Sequence, residues 1–187
     1  GVIILDFTVE EAFETASMTL FQDFDIRTAT IGINLKDCID SDFERMKNNV
    51  YEKINSNSER LIEEAEKLEE KYGIPIVNKR VSITPISLVM ETHAEERKFV
   101  EMAQTIDKAA EDAGIDFVGG FGCLTQKGAT EADKVLMESF PEVLKKTERV
   151  CCFANVGEHK TGLDIDSINL LGEKIKETAE KTDNSIG

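Results

Sequence analysis

The apolar positions along the chain follow two spacings in turn. In five stretches apolar residues recur every three or four positions, which is typical of amphipathic helices, and between them lie four shorter stretches rich in strand-forming residues. The predicted helices cover residues 8–21, 41–72 and 95–113, a stretch from residue 130 that Pro141 interrupts or restarts, and residues 164–181. The predicted strands cover residues 26–34, 74–84, 115–124 and 149–156.

Signals for helix ends support these boundaries. Thr8-Val9-Glu10-Glu11 and Ser41-Asp42-Phe43-Glu44 have the Ser/Thr-x-x-Glu form of a capping box, in which the first side chain accepts a hydrogen bond from the helix backbone. Thr130 and Asp164 are further N-caps, and Gly73 is a natural C-cap.

The order of these elements predicts the fold class. Helix and strand alternate strictly, and each helix is long enough for a crossover connection, which favours a mainly parallel sheet covered by helices. We predict an α/β fold in one domain, or a large piece of one, with the four strands mutually parallel. Residues 182–187 resemble a loop that leads into another strand. We therefore expect the sheet edge to be covered by a further carboxyl-terminal segment or by a second protomer of a homo-oligomer.

The charge and the cysteine spacing indicate which partners and which cellular compartment to expect. Acidic residues outnumber basic ones by 37 to 22, and the formal net charge is −15. Such a field repels nucleic acid and anionic membranes, so we expect neither as a partner. The chain shows no apolar run of the roughly 20 residues that cross a bilayer, and its first residues do not resemble a signal peptide. The spacing of the four cysteines matches neither a zinc site nor a disulfide framework, so we expect a cytoplasmic protein with reduced thiols and no bound metal.

Two adjacent cations interrupt the predicted strand at residues 74–84. Val81 and Ile83 alternate as buried strand positions, yet Lys79 and Arg80 directly precede them. A buried cation needs a paired acid or an anionic ligand. Because neighbours on a strand face opposite ways, at most one of the two points into a barrel interior. Either both form structural ion pairs with the acidic helices, or one of them meets the charge of a small anionic ligand.

A ligand site is predicted at the carboxyl ends of the strands, where parallel sheets bind their ligands. We hypothesise that backbone amides around Gly119 and Gly120 help the inward cation to hold an anion, although close backbone packing explains these glycines equally well. The candidate ligand-binding residues are Asn78, Lys79, Arg80, Ser82, Thr84, Gly119, Gly120, Gln126, Lys127, Asn155 and Lys160.

Three residues are candidates for catalysis. His159 lies in the loop after the fourth strand, where a general base could sit. Cys151 and Cys152 could offer a nucleophilic or radical-carrying thiol, but free cysteine is also among the most buried residue types, and a core role is the alternative. The residues indicate no cofactor, substrate or reaction.

Several motifs occur together in a fixed order. They are Asp25-Ile26-Arg27-Thr28, Gly32-Ile33-Asn34-Leu35-Lys36-Asp37-Cys38, Gly73 to Ser82, Thr84-Pro85-Ile86-Ser87, Gly119-Gly120-Phe121 and Gln126-Lys127-Gly128. Residues 8–187 resemble, through these motifs, the amino-terminal part of the bacterial and archaeal proteins called domain of unknown function 711, often labelled the PFL family. The resemblance implies an α/β barrel similar to the ten-stranded barrel of pyruvate formate-lyase and ribonucleotide reductase. It also implies a longer protein, of which this chain is the amino-terminal part of a single barrel domain.

The sequence departs from the pattern of that family at three places. Gly122-Cys123 stands where members usually have Ser-Ala, and Cys152-Phe153 where they have Ser-Ser after the first cysteine. Gly157-Glu158-His159-Lys160 replaces a usual Gly-Ser-Thr-Lys. Hydroxyl groups are therefore missing near the strand ends, so the ligand of this protein need not be that of the family.

These observations lead to one functional prediction and one alternative. We predict an enzyme that acts on a small anionic metabolite at the carboxyl ends of the strands. The alternative is a non-catalytic protein that senses a metabolite or serves as a scaffold for assembly.

Overall fold

The structure of the protein is a computed structural model, which describes residues 8–21 and 25–182. Its helices are α1 Val9–Phe21, α2 Phe43–Tyr72, α3 Ile86–Val89, α4 Glu96–Asp112, α5 Glu131–Lys146 and α6 Ile165–Lys181. Its strands are β1 Ala29–Ile33, β2 Lys79–Ile83, β3 Phe117–Leu124, β4 Val150–Asn155, β5 Gly157–Glu158 and β6 Gly162–Leu163. Two short 3-10 turns cover Lys36–Cys38 and Glu91–His93. The predicted loop and strand after residue 182 fall outside the described residues.

The first four strands form one parallel sheet in the order β1-β2-β3-β4. This confirms the prediction that all four are mutually parallel. Each strand lies beside the one that precedes it in the chain, with a helical connection between them. The register between β3 and β4 shifts between Val118 and Phe121, so β3 carries a bulge.

The sheet is shorter than the sequence pattern predicts. Residues 26–28 and 74–78 run alongside each other but form only an isolated bridge between Ile26 and Ile76. Next to it the Asn78 side chain donates to the Arg27 carbonyl at 2.9 Å. An antiparallel hairpin of β5 and β6, with His159 in its turn, stands where a plain loop was expected.

Two predicted helix signals need correction. The N-cap of α2 is Asp42, whose side chain accepts from the Arg45 backbone at 3.0 Å, and not Ser41. Asp is as good an N-cap as Ser, and the shift by one residue keeps the same first turn. Pro141 lies inside a continuous α5 and does not interrupt it, since it costs the helix only one hydrogen bond and is itself buried in the core. The C-cap at Gly73 is confirmed, with φ of 67°.

The core lies between one face of the sheet and the helices. Alternate strand residues, among them Val81, Val118 and Phe121, are fully buried against α2, α4 and α5, and α6 packs on α5 at the β4 end. The opposite face of the sheet carries no helix among the described residues. The four strands form an open sheet there, and the closed barrel implied by the resemblance is not present in the described part of the chain. None of the helices described is long and apolar enough to span a bilayer.

Candidate functional site

The face of the sheet that the helices leave uncovered is the candidate site, and we call it the open face. Its residues alternate with the buried ones along each strand. Most of them are exposed, whereas Gly119 and Phe153 are half-buried. The open face consists of Thr30, Gly32, Arg80, Ser82, Phe117, Gly119, Cys151 and Phe153, with Leu124 and Asn155 at the carboxyl ends of their strands.

Lys79 and Arg80 lie on opposite faces of β2, as strand alternation requires. The Lys79 ammonium faces the helices, 3.7 Å from the Glu69 carboxylate of α2, and donates to the Ile76 carbonyl at 3.1 Å. Lys79 is therefore half of an ion pair with an acidic helix, as the first of the two alternatives required of both cations.

Arg80 lies on the open face and has no such partner. Its guanidinium carbon is 5.9 Å from the centre of the Phe117 ring, the residue opposite it in the register of β2 and β3. At this distance the ring attracts the cation and limits the orientations of a long side chain. Arg80 forms no ion pair with any residue in the described ranges 8–21 and 25–182. It can therefore meet an anion from outside the chain.

A row of small residues crosses the sheet next to Arg80 and Phe117. Gly32, Ser82 and Gly119 are register partners on three adjacent strands. A Cβ atom added at Gly32 would meet nothing within 4 Å, and one at Gly119 would meet only the Val81 carbonyl at 4.0 Å. Along this row, therefore, no large side chain projects from the open face, whereas the Arg80 and Phe117 side chains project next to it.

The other two glycines of β3 are required by close packing. Gly120 has φ of 104°, and a Cβ there would lie 2.3 Å from the Ile83 carbonyl oxygen. A Cβ at Gly122 would lie 2.0 Å from the Phe153 carbonyl oxygen. Close approach of backbone thus explains Gly120 without a ligand, as the sequence allowed, and a role of its amide in anion binding stays a prediction.

The carboxyl ends of β1 and β2 are closed by their own hydrogen bonds. The Thr84 hydroxyl donates to Asn34 Oδ1 at 3.2 Å and accepts from the Leu35 backbone at 3.1 Å. Asn34 Oδ1 also accepts from the Lys36 backbone at 3.0 Å. These contacts hold the loop after β1 against the end of β2. Thr84 therefore has a structural role, and its role in ligand binding stays a prediction.

The carboxyl end of β3 opens into a cleft of about 510 Å³. Gln126, Lys127 and Gly128 line one side of it, and the hairpin and the start of α6 line the other through Thr161, Leu163 and Asp164. Gln126 Oε1 is buried and has no donor among the described residues. This cleft is large enough for a small metabolite and brings two of the predicted residues, Gln126 and Lys127, together.

The remaining predicted residues do not join one site. Asn78 lies at the amino end of the sheet, and its side chain bonds to the Arg27 carbonyl. His159 and Lys160 project from the exposed turn of the hairpin. Asn155 lies at the end of β4, where its Oδ1 accepts from the Gly157 backbone at 3.4 Å. The predicted set therefore divides between the open face, the β3 cleft and structural positions.

The two neighbouring cysteines face opposite ways. Cys151 is exposed on the open face, whereas Cys152 packs against the helix-side core. Burial, and to a lesser extent the neighbouring Cys151 thiol, raises the pKa of Cys152. Burial followed by the Asp133 carboxylate raises the pKa of Cys123 to about 12, and burial also raises the pKa of Cys38. Since the thiolate is the reactive form, these three thiols are poor nucleophiles near neutral pH.

This arrangement predicts the thiol chemistry of the folded protein. At pH 8 we expect a disulfide reagent such as Ellman's reagent to modify one thiol quickly, namely Cys151, and the other three only after unfolding. Cys151→Ser should remove the fast phase and leave the total after denaturation lower by one thiol. A fast phase that survives in Cys151→Ser would show that one of the other three thiols is accessible.

The aromatic residues of the open face were not predicted from the sequence. Phe117 and Phe153 were not among the candidates, although Phe117 stands two positions before Gly119 and therefore shares its face by alternation. Phe153 lies two positions after Cys151 on the same strand, so alternation places both on one face. No group of three or more His, Cys, Asp or Glu side chains suited to a metal ion occurs within the described ranges.

Comparison with known proteins places this chain in a family. The profile of the family described as "Uncharacterised ACR (DUF711)" matches residues 17–187. A UPF0210 protein of Methanocaldococcus jannaschii is 44% identical over 97% of this chain and 41% of its own length. UPF0210 proteins of Clostridium botulinum (strain Alaska E43 / Type E3) and Neisseria meningitidis serogroup B are 49% and 46% identical, over 93% and 95% of this chain and 38% and 39% of their own lengths. This chain spans about two fifths of the length of these relatives.

Proposed function

We propose, since this chain belongs to the DUF711 family, that it is part of a cytoplasmic enzyme that binds a small anionic metabolite against the open face of its sheet. One observation carries the proposal. Arg80 is directed away from the helices, rests against Phe117 and lacks an acidic partner in the part of the chain that the structure describes. The cytoplasmic location is supported by four free cysteines, one of them exposed.

Electrostatics favour Arg80 as a recognition residue. In a chain of net charge −15, a cation that forms no ion pair is a place where an anion from solution can bind. The guanidinium group is always charged and offers a planar fork of donors that matches a carboxylate or a phosphate. The row Gly32, Ser82 and Gly119 leaves room beside it, and the Ser82 hydroxyl can donate to the same ligand.

A closed barrel is the second element of the proposal. The strands follow one another in order across the sheet, and β4 ends it with an unpaired edge within the described residues. Beside that edge α5, α6 and β4 enclose a mainly apolar groove of about 420 Å³, lined by Phe140, Leu144, Leu171 and Ile175 among others. Such a groove can receive further strands and helices, either from the part of the family sequence outside this chain or from a second protomer. If the sheet closes, the open face becomes the interior of the barrel and Arg80 needs the charge of a ligand even more.

A non-catalytic role is the second candidate, and one observation favours it. The predicted catalytic groups are not assembled: His159 is exposed in a turn, and Cys152 is a half-buried thiol with a raised pKa. The described residues thus offer a binding surface without an arranged acid–base pair. A metabolite sensor or a scaffold would need only the binding surface.

The test of anion binding compares the two adjacent cations. We expect Arg80→Met to weaken the binding of the probes acetate and inorganic phosphate at least tenfold, because the charge is removed while the volume is kept. The free energy of unfolding should change by no more than about 0.5 kcal/mol, since Arg80 is exposed. Binding is measured by NMR titration and stability by urea denaturation.

Lys79→Met is the matched control. It should leave probe binding unchanged and lower the free energy of unfolding by about 1 kcal/mol, because it breaks the contacts to Glu69 and Ile76. Unchanged binding in Arg80→Met, or equal loss of binding in both variants, would contradict the proposal.

A further inference from the structure

The β3 cleft carries side chains of both charges, and none of the residues that line it belongs to the open face. Lys127 is exposed on the wall that follows β3, and Asp164 is half-buried on the opposite wall at the start of α6. Neither side chain forms an ion pair with a residue of the described part of the chain, so they do not pair with each other either. The cleft therefore presents an ammonium group and a carboxylate group to a molecule that enters it.

The carboxylate of Asp164 is held in place and stays charged. Its Oδ2 accepts from the Ser167 hydroxyl at 2.7 Å, and its Oδ1 accepts from the Ser167 backbone at 3.2 Å. These two bonds hold the pKa of the Asp164 carboxyl below its ordinary value, so the group is ionised at neutral pH. Because a carboxylate has about four acceptor positions, each oxygen can still accept from a ligand.

Gln126 adds an acceptor that lacks a donor. Its Oε1 is shielded from solvent, and no described residue donates to it. A buried carbonyl oxygen without a hydrogen bond is unfavourable, and most such groups in folded proteins have a partner. The Gln126 side chain lines the cleft, and the last torsion of a glutamine turns easily, so its oxygen can meet a donor bound there.

These three groups together restrict the ligand class. A simple anion would meet Lys127 but would be repelled by Asp164 and would give Gln126 Oε1 no donor. A simple amine would satisfy Asp164 and Gln126 but would be repelled by Lys127. A molecule that carries an ammonium group and a carboxylate group matches all three side chains. The cleft volume of about 510 Å³ lies within the range of small-molecule sites.

We infer that the β3 cleft is a second binding site, which takes a zwitterionic metabolite of the chemical class of α-amino acids. The ammonium group of the ligand donates to Asp164 and to Gln126 Oε1, and its carboxylate group meets Lys127. The Thr161 hydroxyl on the hairpin side can donate to the same carboxylate. This inference does not rest on the proposed function, because it uses no residue of the open face.

The test is an NMR titration of this chain with three probes. Glycine carries both charged groups, whereas methylamine lacks the carboxylate and acetate lacks the ammonium group. Glycine should shift the backbone amide signals of Gly128 and Leu163 and bind there about tenfold more tightly than either other probe. Signals of Ser82 and Gly119 report the open face separately, so the proposed function can fail or succeed independently.

Three variants test the three groups. Asp164→Asn keeps a good N-cap for α6 while removing the charge, and Lys127→Met removes the other charge from an exposed position. Each should weaken glycine binding about tenfold. Gln126→Leu should also weaken glycine binding, yet it should not lower the melting temperature, because it removes a buried acceptor that has no donor. A purely structural glutamine would give the opposite result in the melting temperature.

Lys176→Met is the matched control for charge. Lys176 is an exposed lysine of α6 that does not line the cleft, and its replacement should leave glycine binding unchanged. The inference is wrong if glycine does not shift the signals of the cleft, or if acetate or methylamine binds there as tightly as glycine. It is also wrong if Asp164→Asn and Lys127→Met keep the full affinity, or if Lys176→Met loses as much.

Discussion

Replacing Phe121 by alanine should lower the free energy of unfolding by about 3–5 kcal/mol. Phe121 is fully buried on the helix side of β3, opposite Cys152 of β4, and belongs to the core that joins the sheet to α4 and α5. Removing its ring leaves a cavity that neighbouring side chains, themselves part of helices and strands, can fill only in part. The change is measured by urea denaturation with circular dichroism.

Phe117→Ala is the matched control on the same strand. Its ring is 37% exposed on the open face, so its loss should cost no more than about 1 kcal/mol. The comparison measures the asymmetry of the sheet directly, because the two residues differ mainly in the face they occupy. Equal losses in the two variants would mean that the open face is covered in solution, as it would be in a closed barrel or an oligomer.

Replacing Gly120 by alanine should lower the free energy of unfolding by about 2–5 kcal/mol. The backbone of Gly120 has φ of 104°, which an L side chain rarely adopts, and the new Cβ would lie 2.3 Å from the Ile83 carbonyl oxygen. Because that atom is backbone in the neighbouring strand, β2 and β3 would have to separate at the bulge. Thermal and urea denaturation both report this loss.

The control is the preceding glycine. Gly119→Ala introduces a Cβ whose nearest neighbour is the Val81 carbonyl at 4.0 Å, so we expect a change within about 0.5 kcal/mol in either direction. A destabilisation of Gly119→Ala as large as that of Gly120→Ala would show that the loss does not come from the close contact at Gly120, and would contradict this account.

The sequence predicts the parallel sheet because its signals are local. A helix cap, a terminating glycine or a change of apolar spacing can each be recognised from a few neighbouring residues. A helical connection between two strands then indicates that the strands run parallel. The lengths of the strands could not be predicted in this way. Residues 26–28 and 74–78 make only one bridge, between Ile26 and Ile76, and that pairing joins segments about fifty positions apart in the chain.

The same distinction applies to the site. Alternation alone requires Lys79 and Arg80 to face opposite ways, and the apolar Val81 and Ile83 place Lys79 on the core side. The packing of Phe153 on Gly122 involves residues on two strands and a bulge between them, which no spacing within one segment specifies. The predicted site residues are divided between the open face and the β3 cleft by the bulge and the hairpin, which also could not be predicted from the spacing within one segment.

The order of the strands across the sheet also bears on how the protein is made. Each of β2, β3 and β4 pairs with the strand synthesised just before it, and the segment that joins each pair consists mainly of one long helix, α2, α4 or α5. A nascent chain can therefore add one strand and one helix at a time as it leaves the ribosome, without waiting for a distant segment. At every stage the most recently added strand forms one edge of the sheet, and its backbone groups are unpaired. We expect a chaperone, if one assists folding, to act at that edge.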